Sequence, residues 1–98
     1  MEWFEQLYDE VENATVRFVG FTSNESRYDF GIIYTNQFFG KPLVVCMQTG
    51  KSSLMSFEDA HNLEHLQKVF NIKSLEEADY VSIFFQKYLP TLPLQPQY

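Results

Sequence analysis

The sequence predicts an α+β fold: an N-terminal helix, a three- to four-stranded antiparallel meander, and two C-terminal helices packed on that sheet. Three observations predict it. An apolar stripe at helical spacing opens the chain, strand-like alternation broken by turn residues runs from Ala14 to Met55, and helical spacing returns after Ser56. The run Arg27-Tyr28-Asp29-Phe30-Gly31-Ile32-Ile33-Tyr34-Thr35 reads as the strand at the middle of the sheet.

Taken in order, Trp3, Phe4, Leu7, Tyr8 and Val11 recur on one side of a helix over about residues 2–12, with Asn13 ending it. Glu2 and Glu5 fall in its first turn, where negative charge suits the helix dipole. From Thr15 the period shortens. Val16, Phe18 and Gly20 alternate with Arg17, Val19 and Phe21, a strand apolar on much of both faces. Ser23-Asn24-Glu25-Ser26 supplies a hairpin turn. The next strand sets Tyr28, Phe30, Ile32 and Tyr34 on one face and Asp29, Gly31, Ile33 and Thr35 on the other, with Gly31 marking a bulge or a close approach.

Gly40 and Pro42 punctuate the following connection, because Pro42 lacks the donor an interior strand position needs. Leu43 to Gln48 is a third strand, and Ser53 to Met55 a short fourth. Ser56 with Asp59 opens a helix carrying Phe57, Ala60, Leu63, Leu66 and Phe70. Ser74 with Glu77 fits the reciprocal capping box, and Leu75, Ala78, Val81, Phe84, Phe85 and Tyr88 build the last helix, which stops before Pro90. Residues 1–90 form one expected domain, and Pro90, Pro93 and Pro96 make 91–98 an extended or disordered tail.

Composition narrows the function classes. In a chain of 98 residues the core must be efficient, and ten Phe, six Tyr and one Trp supply large buried areas per residue. Formal charge is −6 but uneven: −5 over residues 1–14, +2 over 15–55 and −3 over 56–98. An acidic whole argues against a generic binder of nucleic acid or anionic membrane. The single Cys46 rules out an intrachain disulfide and fits a reducing compartment. The start resembles no signal peptide and no window is long and apolar enough to span a bilayer, so the expected location is cytoplasmic.

Five features carry possible chemistry. His61-Asn62-Leu63-Glu64-His65 has the spacing of an inverted zinc-protease motif, but no third ligand accompanies it and a chain this short offers little room for a cleft. Incidental metal binding through Glu58, His61 and His65 is the weaker version; no resident metal or cofactor is expected. Gly50-Lys51-Ser52 resembles the end of a phosphate loop, yet Val45 stands where the loop needs its first glycine, so it reads as a turn. Arg17, Arg27, Lys41 and Lys51 lie among sheet aromatics, a candidate nucleic-acid surface, and Asp29 with Glu25 are candidate Mg²⁺ ligands for phosphodiester cleavage. Cys46, inside an apolar run, reads as a buried inert thiol. Phe38 and Phe39, adjacent in a loop, are the interface candidates: either they meet a partner or they fold back over the sheet edge.

The segments Val16-Arg17-Phe18-Val19-Gly20-Phe21, Tyr28 to Asn36, Phe38-Phe39-Gly40-Lys41-Pro42 through Gly50, and the Leu89-Pro90 to Pro93-Leu94 ending resemble a small uncharacterised family of low-GC Gram-positive bacteria. The resemblance covers nearly the whole chain and implies a bacterial cytosolic protein. It carries over no catalytic residue. The leading expectation is a non-enzymatic module that self-associates or binds a protein partner through the sheet and the Phe38-Phe39 loop. The alternative is a small nucleic-acid-binding or nucleic-acid-hydrolysing protein, and it requires the four cations to converge on one exposed face.

Overall fold

The computed structural model describes residues 3–90. Four strands, β1 (Thr15–Thr22), β2 (Arg27–Tyr34), β3 (Leu43–Cys46) and β4 (Ser52–Leu54), pair antiparallel in chain order as a meander. Two helices follow, α1 (Leu63–Phe70) and α2 (Leu75–Phe85), with short 3₁₀ turns at Phe38–Gly40 and Asp59–His61. The α+β class, the antiparallel sheet and the two C-terminal helices agree with the sequence. The proposed tail, 91–98, lies outside the described residues.

Alternation assigns the two faces of the sheet. Phe30, Ile32, Val44 and Cys46 point to the helices and are buried, joined by Leu66 and Phe70 from α1 and by Ala78, Val81 and Phe85 from α2. Phe30 is the hub. Its ring meets Phe85 at 4.6 Å and Phe70 at 5.4 Å, both edge to face, the arrangement that the aromatic quadrupole favours. Tyr34 Oη donates to the Tyr88 carbonyl at 2.9 Å and the Phe57 N–H to the Pro90 carbonyl at 3.1 Å, so the chain beyond α2 is tied back to the sheet.

The expected N-terminal helix does not form. Residues 3–14 carry no regular structure, and Trp3, Phe4, Leu7, Tyr8 and Val11 are each at least 65 % exposed. A helix of about ten residues is marginal in water and draws its stability from packing its apolar side. Among the described residues nothing receives that side. Glu10 and Glu12 instead accept bonds from the far end of β2: Thr35 Oγ1 and the Asn36 N–H donate to Glu12, and Gln37 Nε2 to Glu10.

Two smaller departures also have local causes. The helix expected from Phe57 to Phe70 is split, because Asn62 takes an extended backbone and its side chain accepts the His65 N–H, capping α1 afresh. Ser56 and Asp59 do cap each other reciprocally, around the 3₁₀ turn rather than a helix. The third strand ends at Cys46, where the Gly50 N–H bonds the Cys46 carbonyl and the chain turns.

Candidate functional site

Between β2 and β3 the backbone turns the wrong way for ordinary residues. Phe38, Phe39 and Gly40 have φ of 54°, 64° and 79°, three successive left-handed positions closed by Gly40 N–H to the Gln37 carbonyl and Lys41 N–H to the Phe38 carbonyl. Glycine takes φ > 0 freely, but a residue with Cβ gives up roughly 1–2 kcal/mol there. Two phenylalanines bear that strain without burying their rings: Phe38 is 51 % exposed and Phe39 94 %. Both interface candidates thus stand out from the sheet edge.

The second apolar surface is the face of the sheet away from the helices. Register lines Val16, Ile33, Leu43 and Leu54 into one row across all four strands, and Phe18, Gly31, Val45 and Ser52 into the next. Phe18 is 73 % exposed, and its ring lies over Gly31, where an added Cβ would sit 3.4 Å from it. That is the close approach which Gly31 signalled. Toward the β1–β2 hairpin the same face turns polar, with Arg27 Nε bound to Asp29 Oδ2 at 2.9 Å and Gln48 donating to Asp29 as well. A Cβ at Gly20 would fall 2.6 Å from Asp29 Oδ1, so that carboxylate would have to move aside.

The four cations do not share a surface. Arg17 lies on the helix side, its guanidinium 5.5 Å from the Tyr88 ring centroid, while Arg27 lies on the opposite face by alternation. Lys41 Nζ pairs with Asp59 Oδ2 at 2.9 Å, and Lys51 sits in the β3–β4 turn. Burial alone would raise the Asp59 pKa, but bonds from the Ser56 N–H and from Lys41 outweigh it and leave the carboxyl below its usual range. Asp29 is engaged by Arg27 and Gln48. His61 belongs to the 3₁₀ turn, its Nδ1 3.1 Å from the Phe57 carbonyl, whereas His65 lies in α1, so the two do not ride one continuous helix. Among the described residues no three His, Cys, Asp or Glu side chains gather as a metal site. Gly50-Lys51-Ser52 leads from the turn into β4, and Cys46 is buried in the core.

One polar cluster escaped the sequence. Glu77, only 3 % exposed, accepts Ser23 Oγ at 2.7 Å and Tyr28 Oη at 2.8 Å on the same carboxylate oxygen. Burial pushes the Tyr28 phenol up to about 12, and its bond to Glu77 adds to that. The capping pattern reserved Glu77 for the Ser74 N–H. Ser74 Oγ does accept the Glu77 N–H at 3.1 Å, but the carboxylate reaches across to the hairpin instead. Beside it an open cleft of about 480 Å³ lies between Phe21, Asn24, Tyr80 and Phe84. Two hydroxyls given to one carboxylate oxygen tie the hairpin to α2. No helix among the described residues is long and apolar enough to cross a membrane.

A model of the SAV0927-like family matches residues 7–87 of the chain. No curated protein matches it.

Proposed function

We propose that this chain, which belongs to the SAV0927-like family, is a non-enzymatic module that self-associates or binds a protein partner. The observation that carries the reading is the Phe38–Phe39 turn. Left-handed backbone at two phenylalanines costs stability, and in the single chain Phe39 returns none of it through burial while Phe38 stays half exposed. Strain kept at an exposed aromatic pair suits a surface whose burial comes from outside, as aromatic anchors at protein interfaces do. The apolar rows on the open sheet face extend that surface. The free, buried thiol of Cys46 fits work in the cytoplasm.

Phosphate recognition draws no comparable support, because Arg27 and Lys41 are neutralised by carboxylates and Arg17 faces away from Arg27. Light scattering and circular dichroism test the proposal together. Phe38→Ser with Phe39→Ser leaves the circular dichroism spectrum unchanged and abolishes association. A wild-type chain that stays monomeric and captures no partner overturns the reading.

A further inference from the structure

Besides the Phe38–Phe39 turn, two further apolar stretches stand uncovered among the described residues, and they are of opposite kinds. One is a flat sheet face bearing Val16, Phe18, Ile33, Leu43, Val45 and Leu54. The other is a segment, Trp3 to Val11, whose five large apolar side chains fall on one side only if the segment is helical. We infer that the chain forms a reciprocal homodimer in which this segment of each copy lies, as an amphipathic helix, across the open sheet face of the other. The inference rests on the self-association reading above and names its partner as a second copy of this chain.

Two observations choose the second copy. Glu12 and Glu10 are held by Thr35, Asn36 and Gln37 at the end of β2, and from that clamp the segment runs clear of its own sheet, leaving Phe18 bare. The Thr35 hydroxyl and the Asn36 N–H both lower the Glu12 pKa, because they bond its ionised form. The area suffices as well. Trp3, Phe4 and Tyr8 bury roughly 150–250 Å² each when covered, and a two-fold exchange counts them twice, near the roughly 1,200 Å² at which stable interfaces begin. Helix formation and docking are then one event, since the apolar side finds the packing that a lone segment lacks.

Trp3 is the chain's one tryptophan, so its emission reports the segment directly. Light scattering and Trp3 fluorescence are followed on the full chain over an about hundredfold dilution series in the micromolar range. The expected result is a dimer whose Trp3 emission shifts to the blue as concentration rises. Leu7→Ser and Phe18→Ser, both exposed in the single chain, weaken dimerisation roughly tenfold or more with an unchanged circular dichroism spectrum. Blue emission from a monomer at every concentration places the segment on its own sheet and overturns the inference. A dimer with red Trp3 emission that survives Leu7→Ser, but not Phe38→Ser with Phe39→Ser, overturns it while leaving the self-association reading intact. A monomer with red emission throughout overturns the dimer altogether.

Discussion

The two faces of the sheet are built from the same four strands by alternate residues, and they differ in what lies over them. On one, Phe30, Ile32 and Val44 are wholly buried beneath α1 and α2. On the other, Val16, Phe18 and Met47 stand in solvent beside half-buried Ile33, Leu43, Val45 and Leu54. An antiparallel sheet with one solvated face ordinarily alternates apolar with polar. Here the solvated face turns polar near the hairpin, at Arg27 and Asp29, and at Ser52 on the β4 edge. The comparison separates the residues that fold the chain from those that occupy its surface.

Substitutions on the two faces sharpen that separation. Phe30→Ala removes the hub of the aromatic core and costs about 3–5 kcal/mol, a large fraction of the stability of a domain this size. Phe18→Ala, measured by the same urea titration on dilute protein, costs less than about 1 kcal/mol, since it loses only cross-strand cover over Gly31. Equal losses at the two positions would mean that both faces are packed in the monomer.

Next in size is the tether between the hairpin and α2. Glu77→Ala leaves the Ser23 and Tyr28 hydroxyls without their acceptor and costs about 1–3 kcal/mol. The same cluster sets an alkaline limit. The Tyr28 phenol moves from 10.0 in a free chain to about 12 in the fold, so the unfolded chain ionises first. Its contribution is complete below about pH 10 and is lost as pH rises toward about 12. Urea midpoints measured across that interval fall more steeply for the wild type than for Tyr28→Phe. Parallel curves would show that Tyr28 titrates normally. Smallest is Arg27→Ala on the open face. Its pair with Asp29 is mostly solvated, and the change stays within about 0.5 kcal/mol by urea titration.

Most of the fold was legible because its signals are local. Alternation from Thr15 to Tyr34, the polar Ser23–Ser26 turn and the helical spacing after Leu63 each require only neighbouring residues. The N-terminal stripe misled for a physical reason: spacing reports which side a helix would bury, and among the described residues Trp3 to Val11 stay exposed, packed against nothing that would hold a helix. The break at Asn62 was hidden because Phe57, Ala60 and Leu63 keep helical spacing through a 3₁₀ turn. The destination of Glu77 was beyond reach, since Ser23 lies 54 positions away. Phe38 and Phe39 were identifiable as an aromatic pair in a loop, but their left-handed backbone was not, because only Gly40 carries that preference.

The strict chain order of the meander bears on how the molecule is made. Each strand pairs with the one synthesised just before it, across connections short enough for loop closure to cost little. Hydrogen bonding of the sheet can therefore keep pace with the emerging chain. Its cover cannot, because Phe85, Glu77 and the Tyr88 carbonyl that accepts Tyr34 all lie after the last strand. The docking of α2 is the longest-range part of the fold, and it brings to Phe30 the Phe85 ring that neither the sheet nor α1 supplies.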